Sequence, residues 1–216
     1  MSTEDQIRET LIHILDEGVV VAVRLGPGAP LVDVCRALAR GGLRVFELTL
    51  TTPGALDAIR ALASDESLVV GGGTVLSPGD ARRVADAGGC FAFSPVIDTG
   101  VIRQARKLGM VAVPGTATPT EALAAYNHDA DLVKVFPAGP LGGADYIRKL
   151  RGPLPDIPLV PTSGPTADSL ADYLDAGAVA VGVGGDELFP LGFTLQSVEQ
   201  AARRVREEFD RVRRSE

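Results

Sequence analysis

Short runs dominated by Val, Leu and Phe alternate along the chain with longer stretches in which apolar residues return every three or four positions. The runs lie at 19–25, 45–50, 68–75, 91–96, 110–116, 132–137, 159–164 and 179–185, and their length and composition predict buried strands. The intervening stretches, 30–40, 53–63, 78–87, 98–108, 119–127, 143–151 and 166–176, are rich in Ala and Arg and predict amphipathic helices. Several of them open with proline, which the first helical turn tolerates. Two further helices are predicted at the ends. Over 3–17, Thr3 followed by Gln6 reads as a capping box, and Ile7, Leu11, Ile14 and Leu15 form one stripe. Over 194–214, Leu195, Val198, Val205, Phe209 and Val212 do the same, with Arg and Glu elsewhere.

This repeat of strand, turn and helix runs without a long linker or a low-complexity segment. It predicts one domain over 1–216, an α/β fold built as a compact (β/α)8 TIM barrel with an additional N-terminal helix. A doubly wound open sheet is the competing architecture. The barrel is preferred because none of the runs reads as a polar edge strand. Ser94-Pro95, Val113-Pro114, Phe136-Pro137 and Val160-Pro161 fall at run ends, where proline closes or bends a strand for want of an N–H. Their neighbours then lie at the carboxyl ends of strands, where barrel active sites are built.

Composition narrows the function classes. With 216 residues, 45% of them hydrophobic, and a formal net charge of −7, the chain can bury a large core and carries no basic stripe of the kind nucleic acid requires. No apolar run approaches the roughly 18 residues of a membrane span, and the acidic start from Met1 is not a secretory signal, so a cytoplasmic protein without membrane contact is expected. Cys35 and Cys90 lie outside any C-x-x-C spacing and read as reduced, packed thiols. His13 and His128 sit in helical or helix-end positions and make a poor ligand set, so no metal site is expected.

One charge breaks the pattern. Lysine occurs only at Lys107, Lys134 and Lys149, and Lys134 stands between Leu132, Val133, Val135 and Phe136, in the middle of an apolar run. Burying a cation there is costly unless it pairs or gives up its proton. Strand alternation puts Lys134 on one face with Leu132 and Phe136, and Glu47 on one face with Val45 and Thr49. Arg24 closes the first run. Three such charges suit a structural ion network. They also suit a chemical need: a free amine that attacks a ketone, a carboxylate that shuttles protons as water is lost and a carbon–carbon bond breaks, and an arginine that holds a carboxylate bidentately. The constellation reads as Schiff-base chemistry on a 2-keto acid. Gly71-Gly72-Gly73-Thr74 lacks the dinucleotide-binding spacing and reads as a bulge or a close backbone approach, with the Thr74 hydroxyl aimed into the mouth. Thr162-Ser163-Gly164 and Val183-Gly184-Gly185 occupy the turns where phosphate-binding barrels present backbone N–H groups.

Several short segments, in order, carry a resemblance to a known family: G-G-L-R-V-F-E-L-T-L at 41–50, G-G-G-T-V-L at 71–76, F-S-P at 93–95, V-P-G-T-A-T-P-T-E at 113–121, K-V-F-P-A at 134–138, V-P-T-S-G at 160–164 and V-G-V-G-G at 181–185. Over about residues 18–190 the chain resembles the class I 2-keto-3-deoxy-6-phosphogluconate (KDPG) and 4-hydroxy-2-oxoglutarate (KHG) aldolases. The resemblance implies a Schiff base on Lys134, Glu47 as general acid/base, and Arg24 and Thr74 on the pyruvate carboxylate. It further implies that Pro95 and Phe136 line the pocket, that Thr162 tunes specificity, that no cofactor is needed, and that the protein is a homotrimer. The expected reaction cleaves a keto acid to pyruvate and an aldehyde, D-glyceraldehyde 3-phosphate from KDPG or glyoxylate from KHG.

The chain departs from the family pattern at three places. Thr51 stands where many members carry arginine and others threonine, so carboxylate binding leans on Arg24. Thr162-Ser163-Gly164, followed by Pro165, replaces T-G-G, and Gly184-Gly185 replaces G-S. Both of the latter changes fall in the expected phosphate cradle of Ser163, Gly164, Gly184 and Gly185, which makes an unphosphorylated keto acid the alternative substrate. A barrel that binds a keto acid or sugar phosphate without turnover, with Lys134 and Glu47 as a stability pair, is the non-enzymatic alternative.

Overall fold

The computed structural model describes residues 2–214; Met1 and residues 215–216 of the expected 1–216 unit lie outside the described residues. The chain opens with α1 (Thr3–Glu17) and then alternates: β1 (Val19–Val23), α2 (Leu31–Arg40), β2 (Val45–Thr49), α3 (Ala55–Leu62), β3 (Val69–Gly73), α4 (Pro78–Asp86), β4 (Phe91–Phe93) and α5 (Thr99–Lys107). The second half holds β5 (Val111–Val113), β6 (Gly115–Thr116), α6 (Pro119–Asn127), β7 (Val133–Val135), α7 (Gly143–Arg151), β8 (Leu159–Pro161), α8 (Leu170–Asp175), β9 (Val181–Gly184) and α9 (Leu195–Arg213).

All strand pairs are parallel. They form a curled six-stranded sheet in the order β5-β4-β3-β2-β1-β9 and a three-stranded sheet β6-β7-β8. The expected run 110–116 is therefore two strands. Pro114 stands between them and has no N–H for the ladder, although its carbonyl still accepts from Lys134 N at 2.9 Å. An isolated parallel bridge between Thr162 and Gly182 ties the chain just beyond β8 to β9.

Local chemistry sets the helix ends. The N-terminal capping box is Ser2 with Asp5, one residue before the expected Thr3 with Gln6: Asp5 N donates to Ser2 Oγ, and the Asp5 carboxylate accepts from Ser2 N, both at 3.1 Å. Pro78 and Pro119 occupy first helical turns as expected, whereas α3 starts at Ala55 because Gly54 takes a left-handed conformation (φ 82°). α8 starts at Leu170, well after the expected 166, because Ser169 Oγ accepts from Thr166 N at 3.0 Å and holds that stretch as a turn. On α9 the buried stripe is Val198, Ala202, Val205, Phe209 and Val212, with Leu195 exposed.

Strand alternation sorts the interior into two apolar clusters. One side chain set, including Val19, Val21, Phe46, Leu48, Val70, Val133, Val181 and Val183, packs against the helices. The other, Val20, Val45, Val69, Phe91, Val111, Leu132, Val160 and Ala180, points to the concave side of the sheets. Ile7 and Ile14 of α1 join this second cluster, so α1 packs across the amino-terminal ends of the strands. The opposite, carboxyl-terminal ends are left for polar side chains. Among the described residues no helix is long and apolar enough to cross a membrane, and no cluster of His, Cys, Asp and Glu is placed to hold a metal ion.

Candidate active site

Two positions along the chain from the apolar layer, and so on the same face, stand Ala22 of β1, Glu47 of β2, Lys134 of β7 and Thr162 just beyond β8. Lys134 lies at the centre of β7, paired in register with Gly115 of β6 and Val160 of β8. Glu47 is the midpoint of β2, paired with Ala22 of β1 and Gly71 of β3. The two side chains therefore come from strands that are not neighbours and meet across the interior. Lys134 Nζ lies 3.3 Å from Glu47 Oε1 and 3.5 Å from Oε2, with Lys134 5% and Glu47 2% exposed. Burial to this degree removes water from both groups, so each relies on the other as a polar partner. The rings of Phe93 and Phe136 flank the amine, with centroids 5.5 and 5.2 Å from Nζ, close enough for their negative faces to favour it electrostatically.

Glycines clear the space around these side chains. A Cβ on Gly73 would lie 2.3 Å from Glu47 Oε1, and one on Gly182 would lie 2.3 Å from Thr162 Oγ1. The triple glycine of β3 is thus a close approach of side chains rather than a bulge. The resulting cavity, of about 400 Å³, is lined by Arg24, Glu47, Lys134, Phe136 and Thr162, and by Ser163, Gly164, Gly184 and Gly185 farther along the wall. Ala22, Pro165, Gly182 and Val183 complete it. None of the four carries a reactive group; Pro165 and Val183 enter the sequence reading only as neighbours of the expected phosphate turns, and Ala22 and Gly182 do not enter it as site residues.

Arg24 follows the end of β1 and reaches the cavity with its guanidinium held from two sides. Its Nη1 donates to Thr51 Oγ1 at 2.5 Å and its Nη2 to Thr74 Oγ1 at 3.0 Å. Thr74, at φ 56°, is a β-branched residue in the left-handed region, a conformation that persists only where its surroundings enforce it. Thr74 meets the site through Arg24 and is not part of the cavity wall. Pro95 is not part of it either; its backbone packs against Gly115, where an added Cβ would come within 2.5 Å of the Pro95 carbonyl carbon. Thr51, noted in the sequence only for what it replaces, is the partner that sequence reasoning missed. Its signal was the run of hydroxyls Thr49, Thr51 and Thr52 at and just beyond the end of a strand.

At the far end of the cavity the wall is backbone-rich. Ser163 (φ 60°) and Gly185 (φ 58°) both turn through the left-handed region, and Ser163 O accepts from Gly139 N at 2.9 Å. The site as a whole offers a buried amine beside a carboxylate, a guanidinium at one end, and hydroxyl and backbone groups at the other. That arrangement can form a carbinolamine with a keto acid and move protons around it.

A family model for KDPG and KHG aldolase matches residues 11–200. The 2-dehydro-3-deoxy-phosphogluconate aldolase of Pseudomonas aeruginosa is 33% identical over 201 residues, covering 91% of each chain. The KHG/KDPG aldolase of Escherichia coli K12 is 34% identical over 173 residues, 80% of this chain and 79% of its own. A solved native KDPGal structure superposes with a TM-score of 0.84 at 28% identity, over 91% of this chain and 96% of that one. On a family match that spans nearly the whole chain, and on relatives above 30% identity across most of both sequences, the chain belongs to the KDPG and KHG aldolase family.

Proposed function

We propose that the chain is a class I aldolase that reversibly cleaves a 2-keto-3-deoxy acid to pyruvate and an aldehyde. The observation that carries this reading is the 3.3 Å approach of Lys134 Nζ to Glu47 Oε1 inside a cavity that also contains Arg24. In the proposed reaction the unprotonated Lys134 amine adds to the C2 carbonyl, and Glu47 passes protons so that the carbinolamine loses water to a Schiff base. Glu47 then takes the proton of the C4 hydroxyl as the C3–C4 bond breaks, and the bond's electron pair moves into the enamine. Protonation at C3 and hydrolysis release pyruvate and restore Lys134. Arg24 holds the substrate carboxylate, and Phe136 and Thr162 pack against the chain of the substrate.

For the substrate we favour KDPG or its galactonate epimer, with the phosphate against the turns of Ser163, Gly164, Gly184 and Gly185. Relatives named for each of these substrates support the reading. A second reading, an unphosphorylated acid such as KHG, is favoured by the cavity wall itself. Among its described residues the only cationic side chains are Arg24 and Lys134, both at the keto-acid end, and Pro165 has no N–H to offer a phosphate. We read the two sheets as parts of one (β/α)8 barrel within a single domain, supported by the Thr162–Gly182 bridge and by the uninterrupted passage from β5 through Pro114 to β6. A homotrimer in the cytoplasm is carried by family resemblance, and the mass in solution tests the trimer.

Pyruvate release coupled to lactate dehydrogenase, run with KDPG, its galactonate epimer and KHG, ranks the substrates by kcat/KM. Borohydride added with pyruvate should inactivate the protein and modify Lys134. A peptide map with Lys134 unmodified overturns the Schiff-base reading.

A further inference from the structure

The manner in which Arg24 is held assigns a role to a residue outside the cavity wall. Among the described residues no carboxylate forms an ion pair with Arg24; its two contacts are the hydroxyls of Thr51 and Thr74. Neutral acceptors fix the direction of a guanidinium without neutralising it, so the charge is kept for a ligand. Of the five N–H donors of an arginine, two are used here and three remain, enough for a bidentate grip on a carboxylate.

The Thr51 hydroxyl is itself anchored. It lies 3.4 Å from Thr49 Oγ1, which donates to Val23 O at 3.3 Å and shares a 2.9 Å contact with Thr52 Oγ1. Thr52 Oγ1 in turn accepts from Leu25 N at 3.2 Å. A chain of hydroxyls thus ties the end of β2 to the backbone on both sides of Arg24. Thr49 and Thr52 are buried, and Thr51 is exposed at the tip of the chain.

We propose that Thr51 is a positioning residue for substrate binding: its hydroxyl aims Arg24 at the carboxylate of the keto acid, and the Thr49–Thr52 pair holds Thr51 in place. The proposal rests on the reading of Arg24 as the carboxylate-binding group. Thr51 does not line the cavity and acts only through Arg24. Losing the aim of the arginine weakens ground state and transition state alike, so KM rises while kcat holds.

The test uses Thr51→Val, which keeps shape and removes the hydroxyl, with Thr51→Ser and Thr51→Ala alongside. Thr51→Val should raise KM for the keto acid by about tenfold, the size of one hydrogen bond to a charged group, with kcat within about twofold. The half-saturating pyruvate for borohydride labelling of Lys134 should shift by the same factor. Thr51→Ser should restore both, and Thr51→Ala should match Thr51→Val. An unchanged KM in Thr51→Val, a fall in kcat at constant KM, or a Thr51→Ser variant as impaired as Thr51→Val would each overturn the proposal. Pyruvate binding by calorimetry is read in parallel. A parent that binds pyruvate without labelling overturns the lysine reading and leaves the Thr51 comparison to be decided by binding; a parent that does neither overturns both.

Discussion

Glu47 occupies the space that a side chain on Gly73 would need. A Cβ built on Gly73 falls 2.3 Å from Glu47 Oε1 and 2.5 Å from its Cγ, so the missing side chain of β3 is what lets the carboxylate of β2 stand beside Lys134. Gly73 is outside the left-handed region, and alanine suits its backbone; the three atoms nearest to an added Cβ all belong to Glu47. Gly73→Ala should therefore fold, at a cost of about 1–3 kcal/mol from overpacking. With the carboxylate displaced, kcat should fall by on the order of 10²-fold, the lower end of what a general acid/base supplies. Gly71→Ala is the control. Its Cβ would strike the Phe91 ring at 2.4 Å and the Phe91 carbonyl oxygen at 2.5 Å rather than the Glu47 carboxylate, so it should lower stability, as read by urea unfolding, while the surviving folded protein keeps its kcat.

The Lys134–Glu47 pair also makes a prediction about stability that is separate from catalysis. Both groups are nearly without solvent, so removing one leaves the other as an uncompensated buried charge. Breaking such a pair costs about 3–5 kcal/mol, whereas replacing both partners with neutral groups of similar shape is close to neutral. Lys134→Met should thus be less stable than the parent, and Lys134→Met combined with Glu47→Gln should recover most of the loss, with both variants inactive. A double variant less stable than either single one would show that the pair is worth more as packing than as charge.

The parts of the fold that were legible in the sequence are those set by period and by turn chemistry. Proline at 78 and 119 and apolar runs bounded by glycine mark nearly every element, and the isolation of Lys134 among Leu132, Val133, Val135 and Phe136 points to the candidate site, whose cavity it lines. Less legible were features that depend on which strands face each other. That Glu47 and Lys134 meet across the interior is a property of sheet curvature, which alternation along one strand does not encode. The split of 110–116 at Pro114 follows from a missing N–H; the contact made by Thr51 does not, because a threonine after a strand becomes informative only when an arginine from beyond the end of another strand lands on it.

The cysteines should be chemically silent in the folded protein. Cys35 is fully buried, and burial pushes its thiol up to about 12, so essentially none of it is thiolate near neutral pH. Burial also raises Cys90, whose Sγ donates to Val70 O at 3.2 Å. Ellman's reagent at pH 8 should leave Cys35 unmodified and react with Cys90 more slowly than with a free thiol, by the loss of thiolate. In denaturant both should react at once. Rapid labelling of Cys35 in the folded protein would mean that α2 opens far more readily than its packing implies.

The last prediction concerns acid. At the start of α6, Glu121 Oε2 accepts from Ala117 N at 2.7 Å and Thr118 N at 2.9 Å, and these backbone donors, Ala117 foremost, hold its carboxyl below the usual glutamate range. The same turn is tied to α7, since Tyr146 Oη donates to Ala117 O at 2.8 Å. A carboxylate whose folded pKa is depressed binds fewer protons folded than unfolded. Its contribution is therefore complete above the unfolded value of about 4.3 and is lost as pH falls through the folded one. Because Glu121 is exposed, solvent limits the contribution to about 0.5–1 kcal/mol. Glu121→Gln, which removes the charge, should lower unfolding free energy by that amount at pH 7. The gap between parent and variant should close as pH is taken from about 5 to 3. Urea titrations across that window check it, and a gap that stays constant or widens on acidification would show that the capping turn draws nothing from the charge of Glu121.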